Sequence, residues 1–462
     1  MFDIAIIGGG IGGYTAAIKA AKEGLKVALF EKDKLGGTCL HEGCIPTKTF
    51  LQLSNKYQDV YKLQKMGFSQ LQIPEIATLD WSQFLQYKNQ VVNQLFQGVQ
   101  YLIQKNKIQL FPKKVTAISK AGPFSISTAD RVVQAKHVIL ATGSKPIVPL
   151  NVHKKYSNVL SSDQLLSLHE LPKSIVIVGS GVIGIEFATF FSQLNIPVTI
   201  VEKEETILGA VDSEIAQHLK QSLTRKGVQF KTGCEVLFNQ IEESENEVTL
   251  KLRQGAEILE EKAQYVLVAI GRKGHYGDID FSSLKKENEQ FPVDKYLKTK
   301  VSNLYIIGDA SGNVQLAHAA AYQAEIVIQR ILGHEVNSYD ELLVPKCIYS
   351  VPEVSSIGFT EREAKESYEV KVGKFQLNAN GKSLITGETE GFIKVIADKT
   401  TDRILGVHII GDKATELISE GSLAMLFEAT ASEIGMTVHP HPTVSEIFNE
   451  AALAVDGKEI HS

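Results

Sequence analysis

The chain has few sulfur-bearing or indole side chains: four cysteines, four methionines and one tryptophan in 462 residues. Only two of the four cysteines are close together, so no disulfide framework is on offer. Positive charge is not in excess either. Lys and Arg number 48 against 53 Asp and Glu, a formal net charge of −5, which leaves no electrostatic case for nucleic acid or an anionic membrane surface. No run of eighteen or more apolar residues occurs, so a transmembrane helix is not expected. The opening "MFDIAIIGGG" enters a strand and a glycine turn at once, without the basic, apolar and small-residue segments of a secretory leader, and the cytoplasm is the expected compartment. There, a close cysteine pair is more often catalytic or metal-binding than structural. The length calls for two to four domains.

What is present is a repeated unit. Residues 3 to 31, "DIAIIGGGIGGYTAAIKAAKEGLKVALFE", read as a buried strand Ile4 to Ile7, a G-x-G-x-x-G turn at Gly8, Gly10 and Gly13, a helix from Tyr14 to Lys22, and a second strand closed by Glu31. The first glycine makes the turn, the second admits a pyrophosphate, and the third packs helix on strand, with the helix N-terminus toward the phosphates. The terminal acid accepts hydrogen bonds from the adenosine ribose. The unit recurs at "SIVIVGSGVIGIEFATFFSQLNIPVTIVE", with Gly179, Gly181, Gly184 and Glu202 in the same places. An acid at Glu202, with only Lys203 nearby in "VEKEET", favours NAD over NADP. "LYIIGDASGNVQLAHAAA" adds a strand, Asp309 and a helix. "VILATGS" and "VLVAIGR" look like matching strand ends that carry the chain between domains.

The cysteines Cys39 and Cys44 lie in "GGTCLHEGCIPTK". Zinc would need a second ligand pair, and Cys234 and Cys347 are far apart without neighbouring cysteine or histidine; they read as buried, inert, small apolar residues. On a regular helix Cα atoms five residues apart are separated by roughly 8–9 Å, more than the about 7 Å a disulfide tolerates. The segment must bend, with Gly43 and Pro46 supplying the irregularity, and a strained bridge at a helix head is easily reduced. Lys48 adds a positive charge one turn on. The expectation is a redox-active disulfide.

Together, "GGTCLHEGCIPTK", two dinucleotide units, "ATGS", "AIGR", "IGDAS…LAHAA" and the C-terminal "HPHPTVSE" resemble the flavin-dependent disulfide reductases, within them the dihydrolipoyl dehydrogenases, over essentially the whole chain. The resemblance implies an α/β fold of two Rossmann-like dinucleotide-binding domains, for FAD and NAD, plus a C-terminal α+β dimerisation domain. The expected boundaries are 1–147 (FAD, first part), 148–270 (NAD), 271–340 (FAD, central part) and 341–462 (dimerisation). It implies non-covalent FAD held by Gly8, Gly10, Gly13, Glu31, Lys32, Gly37, Thr38, Lys48, Gly143, Asp309 and Ala317. NAD, the co-substrate, is assigned to Gly179, Gly181, Gly184, Glu202, Val236 and Gly271. Cys39 would be the interchange thiol and Cys44 the thiol against the flavin, with Lys48 paired to Glu186. Implied partners are a second copy of the chain, lipoyl domains and the acyltransferase core of a 2-oxo acid dehydrogenase complex; no metal is expected.

Histidine as a residue type can take a proton from a dithiol near neutral pH, which makes His441 the candidate base, and Glu446 can orient its imidazole; His439 reads as packing or hydrogen bonding. In the family the histidine reaches the other subunit's disulfide, and the bond before Pro442 is cis. The segment before it reads as two strands ("GFIKVIADKTTDRILGVHIIG") and one helix ("ATELISEGSLAMLFEATASEIG"), and "EESENEVTLKLRQGAEILEEK" as a solvated hairpin. His41-Glu42 replaces the family's Asn-Val between the cysteines, "AIGRKGH" lacks a Pro-Asn, and "YQAE" replaces a Glu-Gly; His41 and Glu42 are expected to alter the thiol pKa values. Two alternatives stand. One is reduction of a different disulfide in the opposite direction, which a substrate panel separates; the other is a redox-inactive scaffold, disfavoured by the presence of every reacting group.

Overall fold

The computed structural model describes residues 1–68, 70, 79–284 and 291–461. The first unit folds as strand β1 (Phe2–Ile7), helix α1 (Ile11–Lys22) and strand β2 (Val27–Phe30). Helix α1 begins at Ile11, three residues before the expected Tyr14, because Gly10 is its N-cap. Next come helices α2 (Gly37–His41), α3 (Cys44–Lys65) and α4 (Trp81–Lys105), then strands β3 (Gln109–Phe111), β4 (Val115–Lys120), β5 (Phe124–Thr128) and β6 (Val132–Leu140). The sheet order is β3-β2-β1-β6-β5-β4, and strand Leu304–Ile306 returns from far along the chain to pair with β6. Its central strands run parallel and are covered on both faces, which is why they read as unbroken apolar runs.

The second unit forms strand Ile175–Val178, helix Val182–Gln193 and strand Val198–Val201 in a five-stranded parallel sheet. The two glycine turns superpose in backbone conformation: φ is +108° at Gly8 and +104° at Gly179, and φ, ψ are −68°, −175° at Gly10 and −70°, −178° at Gly181. Helix Val182–Gln193 is buried almost all round because α3 covers the side its own sheet leaves open. Ser54 Oγ donates to Gln193 Oε1 at 2.6 Å, and Gln193 Nε2 donates to Asn55 Oδ1 at 2.6 Å. Phe50, Trp81 and Phe190 fill this seam. Trp81 packs there as expected, its Nε1 donating to Leu168 O at 2.9 Å; losing such an aromatic costs about 3–5 kcal/mol.

The ends of "ATGS" and "AIGR" meet: Ser144–Pro146 and Arg272–Gly274 form a two-stranded antiparallel ribbon joining the units. The charge-rich hairpin is present at Val248–Gln254 and Glu257–Ala263, one face of its first strand buried. The C-terminal sheet is antiparallel, ordered Lys346–Ile348, Glu353–Gly358, Ile404–Gly411, Phe392–Asp398, Val370–Gln376. The single helix expected after it is two, Ala414–Leu426 and Ala431–Gly435. Glu428 takes a left-handed φ of +57°, and Thr430 and Glu433 form a capping box that starts the second helix. Among the described residues no helix is long and apolar enough to cross a membrane.

Candidate active site

In each glycine turn two positions are closed and one is open. A Cβ on Gly13 would lie 1.8 Å from Gly8 O, and one on Gly184 2.1 Å from Gly179 O, so these glycines let helix meet strand. A Cβ on Gly10 would meet only Gly37 Cα, at 3.9 Å, and one on Gly181 nothing within 4 Å. The open position leaves room for a pyrophosphate ahead of the N-terminus of a twelve-residue helix in both units. The acids lock the turns. Glu31 accepts from Gly9 N (2.7 Å) and Asp33 N (2.8 Å), and Glu202 accepts from Ser180 N (2.8 Å), Ser180 Oγ (2.6 Å) and Glu204 N (3.0 Å). Burial opposes ionisation of Glu202, but these donors prevail and hold it below the ordinary glutamate range. The residues present therefore fit two dinucleotides. Near Glu202 the sequence shows only Lys203; the fold adds Arg253, and both cations face Glu235 at 3.4 Å.

Cys39 lies in α2 and Cys44 is the first residue of α3. The bend between them is at Glu42–Gly43. Pro46 does not supply it: it sits in the first turn of α3, where a missing N–H leaves no bond unmade. Both cysteines are thiols here, the reduced counterpart of the expected bridge, and their sulfurs are hydrogen-bonded. That bond draws the Cys44 thiol down to about 7 against its burial, with the Lys48 charge helping. The same bond, with burial, drives Cys39 well above the ordinary thiol range. Lys48 Nζ donates to Glu186 Oε1 (2.9 Å) and Oε2 (2.7 Å), Tyr349 N donates to Glu186 Oε1 (3.1 Å), and the ammonium lies 4.8 Å from the Tyr349 ring centroid. The leading influences on the thiols come from each other, burial, Lys48 and Glu186, not from His41 or Glu42 as expected. His41 is turned away, Nε2 against Leu35 O at 2.8 Å and its ring edge-on to Phe96.

One cleft of about 2160 Å³ connects these parts, more than twice the upper end of ordinary small-molecule pockets. From the first set Gly8, Gly10, Glu31, Lys32, Gly37, Thr38, Gly143, Asp309 and Ala317 line it; from the second, Gly179, Gly181, Glu202, Val236 and Gly271; between them stand Cys39, Cys44, Lys48 and Glu186. Gly13 and Gly184 lie behind it, packed on strands. Cys234 is buried as expected. Cys347 is not: it is partly buried and on the cleft wall, with burial pushing its thiol up to about 11.

His441 and Glu446 do not line this cleft within one chain. His441 is 77 % exposed, its Nδ1 2.9 Å from Glu446 Oε1, and Glu446 Oε2 accepts from Thr443 N at 2.9 Å. The His441–Pro442 peptide is cis, as is Val351–Pro352, which the sequence reading did not single out. His439 is held by Glu420 Oε1 at 2.8 Å. Around this loop Leu423, Phe427, Met436 and Val438 expose large apolar side chains. Sequence reasoning missed Ser180, the Tyr349 amide and Cys347, whose only signal is spatial.

The chain matches the family model of pyridine nucleotide-disulphide oxidoreductases over residues 2–324 and that family's dimerisation domain over 344–452. A dihydrolipoyl dehydrogenase of Bacillus subtilis is 40% identical across 100% of this chain and 99% of its own, and dihydrolipoyl dehydrogenase 3 of Pseudomonas putida 38% identical across 99% and 98%. Among solved structures, the HOCl-induced flavoprotein disulfide reductase RclA of Escherichia coli has a TM-score of 0.85 at 27% identity, covering 98% of this chain and 99% of that one. LpdA of Mycobacterium tuberculosis shares the fold with a TM-score of 0.89 at 22% identity, covering 98% and 99%. FAD and a nicotinamide dinucleotide are the cofactors of these oxidoreductases, and the dimerisation domain makes the assembly a homodimer. With its paired glycine cradles, its cysteine pair and these full-length matches, the chain belongs to the pyridine nucleotide-disulphide oxidoreductase family.

Proposed function

We propose that this chain oxidises protein-bound dihydrolipoamide to lipoamide with reduction of NAD, as the flavoprotein component of 2-oxo acid dehydrogenase complexes. The observation that carries the reading is the thiol pair, with its anionic form favoured on Cys44 beside the Lys48–Glu186 ion pair. Full-length identity of 35–40% to dihydrolipoyl dehydrogenases supports the substrate, against 27% to the flavoprotein disulfide reductase RclA.

In the oxidised chain, a substrate thiolate attacks Cys39 Sγ, the Cys39–Cys44 bond breaks, and Cys44 leaves as a thiolate held by the Lys48 charge. The second substrate thiolate then attacks the sulfur joined to Cys39. The lipoamide ring closes, and Cys39 leaves and takes up one of the two protons the substrate loses. His441 of the other subunit holds the second proton at Nε2, while Glu446 fixes Nδ1 and balances the imidazolium. The exposure of His441 and the apolar surface around it support its working across the dimer. Bound FAD supplies the two-electron relay from the cysteine pair to NAD.

Anaerobic titration of the holoprotein with dihydrolipoamide tests this. A long-wavelength absorbance band that grows with dihydrolipoamide, is absent in Cys44→Ser and is discharged by NAD is the expected result. A flavin that responds to NADH but not to dihydrolipoamide overturns the substrate assignment and points to another disulfide.

A further inference from the structure

The "AIGR" arginine has no part in the scheme above, yet it is the centre of a hydrogen-bond relay on the cleft wall. Arg272 is 13 % exposed. Its Nε donates to Ser144 Oγ at 2.9 Å, one terminal nitrogen donates to Ser144 O at 3.1 Å, and the other lies 3.2 Å from Asp163 Oδ1. Ser144 Oγ in turn donates to Asp309 Oδ2. All four residues line the cleft.

The direction of the relay follows from donor counting. A guanidinium can only donate, and a serine hydroxyl has one proton. With Arg272 Nε occupying a lone pair of Ser144 Oγ, that proton is left for Asp309. One carboxylate oxygen of Asp309 is thereby fixed, and among the described residues the other has no hydrogen-bond partner. It remains available to a hydroxyl-bearing ligand in the cleft. Asp163 belongs to helix Ser162–Leu165, beside the second unit's sheet, whereas Ser144 and Asp309 sit at strand ends of the first sheet. The relay spans both units.

We propose that Arg272 is a positioning residue for FAD: through Ser144 it orients Asp309, and through Asp163 it ties that orientation to the NAD-binding unit. The inference rests on the assignment of Asp309 to FAD. The ligand it implies is a polyol hydroxyl of the flavin nucleotide, held from a distance by a residue of the ribbon that joins the two units.

The test is the rate of flavin release from the holoprotein, followed by the rise in flavin fluorescence on dilution, with thermal unfolding recorded beside it. Ser144→Ala, which removes one hydroxyl and little volume, speeds release about tenfold, the loss of a hydrogen bond to a charged group. Arg272→Gln does the same, Ser144→Thr restores slow release, and the Ser144→Ala/Arg272→Gln double variant releases no faster than either single one, as one chain of contacts requires. If Ser144→Ala and Arg272→Gln lower thermal stability but keep wild-type release, or their effects multiply, the relay is wrong. Asp309→Asn separates the two readings. Fast release from it alone keeps FAD at Asp309 and rejects the relay; unchanged release rejects the assignment beneath both.

Discussion

Lys48 Nζ lies 2.7 Å from Glu186 Oε2, an ion pair between the third-helix segment of one dinucleotide unit and the first helix of the other, with the Glu186 side chain 3 % exposed. The pair faces both ways: its ammonium lowers the Cys44 pKa, and its carboxylate is anchored by the Tyr349 amide. Lys48→Met should move the Cys44 titration, near 7 in the reduced protein, upward by about one unit, a roughly fivefold fall in thiolate at pH 7. Thiolate absorbance of the reduced protein against pH reads this; an unmoved titration would assign the low value to the Cys39 hydrogen bond alone. The same variant leaves Glu186 buried and unpaired, and should cost about 3–5 kcal/mol in denaturant unfolding.

The glycines separate binding from folding. Gly181→Ala places a methyl in open space at an ordinary φ of −70°, so unfolding free energy should hold within about 0.5 kcal/mol while calorimetric NAD affinity falls at least about tenfold, or 1.4 kcal/mol. Gly184→Ala drives a methyl against Gly179 O and should lose about 1–3 kcal/mol of stability. Equal losses from both would contradict the cradle geometry.

Acid should unlatch the second unit from the C-terminal sheet. Lys394, 1 % exposed, lies 3.1 Å from Asp212, 2.9 Å from Glu214 and 2.5 Å from Glu361. Hydrogen bonds from Lys365 and Lys394 hold Glu361 at about 2. A carboxylate depressed on folding contributes stability that is complete above its unfolded value, 4.5, and is lost as pH falls toward 2. Fully buried His408, opposite Lys394 in the sheet, is lowered by burial, so its protonation begins to favour unfolding below 6.5. Circular dichroism across pH 7 to 2 should show Glu361→Gln less acid-sensitive than the wild type at the low end. Parallel curves would remove Glu361 from the latch.

His441→Gln should lower kcat by about 10²–10⁴-fold with flavin content unchanged. Whether it serves its own subunit is decided by coexpressing Cys44→Ser and His441→Gln chains. If the imidazole works across the two-fold axis, the heterodimer keeps one intact site of two, about half the wild-type turnover. If it works within one chain, every site carries a lesion and the heterodimer is dead.

Much of this molecule is written in local pattern. Two G-x-G-x-x-G turns between apolar runs, each closed by an acid at equal spacing, determined both dinucleotide units, and "GGTCLHEGC" marked the close thiol pair. These were legible because a close backbone approach to phosphate permits only glycine, and a redox pair permits only cysteine. The helix break at Glu428 was not, although the Thr430–Glu433 capping box was in the sequence: apolar spacing continues across it, and periodicity cannot see a left-handed residue. Assigning the bend to Pro46 failed for a similar reason, since proline in a first helical turn disturbs nothing. Only tertiary structure decided which thiol carries the charge, that His41 turns from the cysteines, and that Ser144, Arg272 and Asp309 converge. Those facts depend on distance across the fold. Chain spacing fixes what a turn can do, whereas a charge or a hydroxyl acts on whatever the packing of two sheets brings within a few ångströms of it.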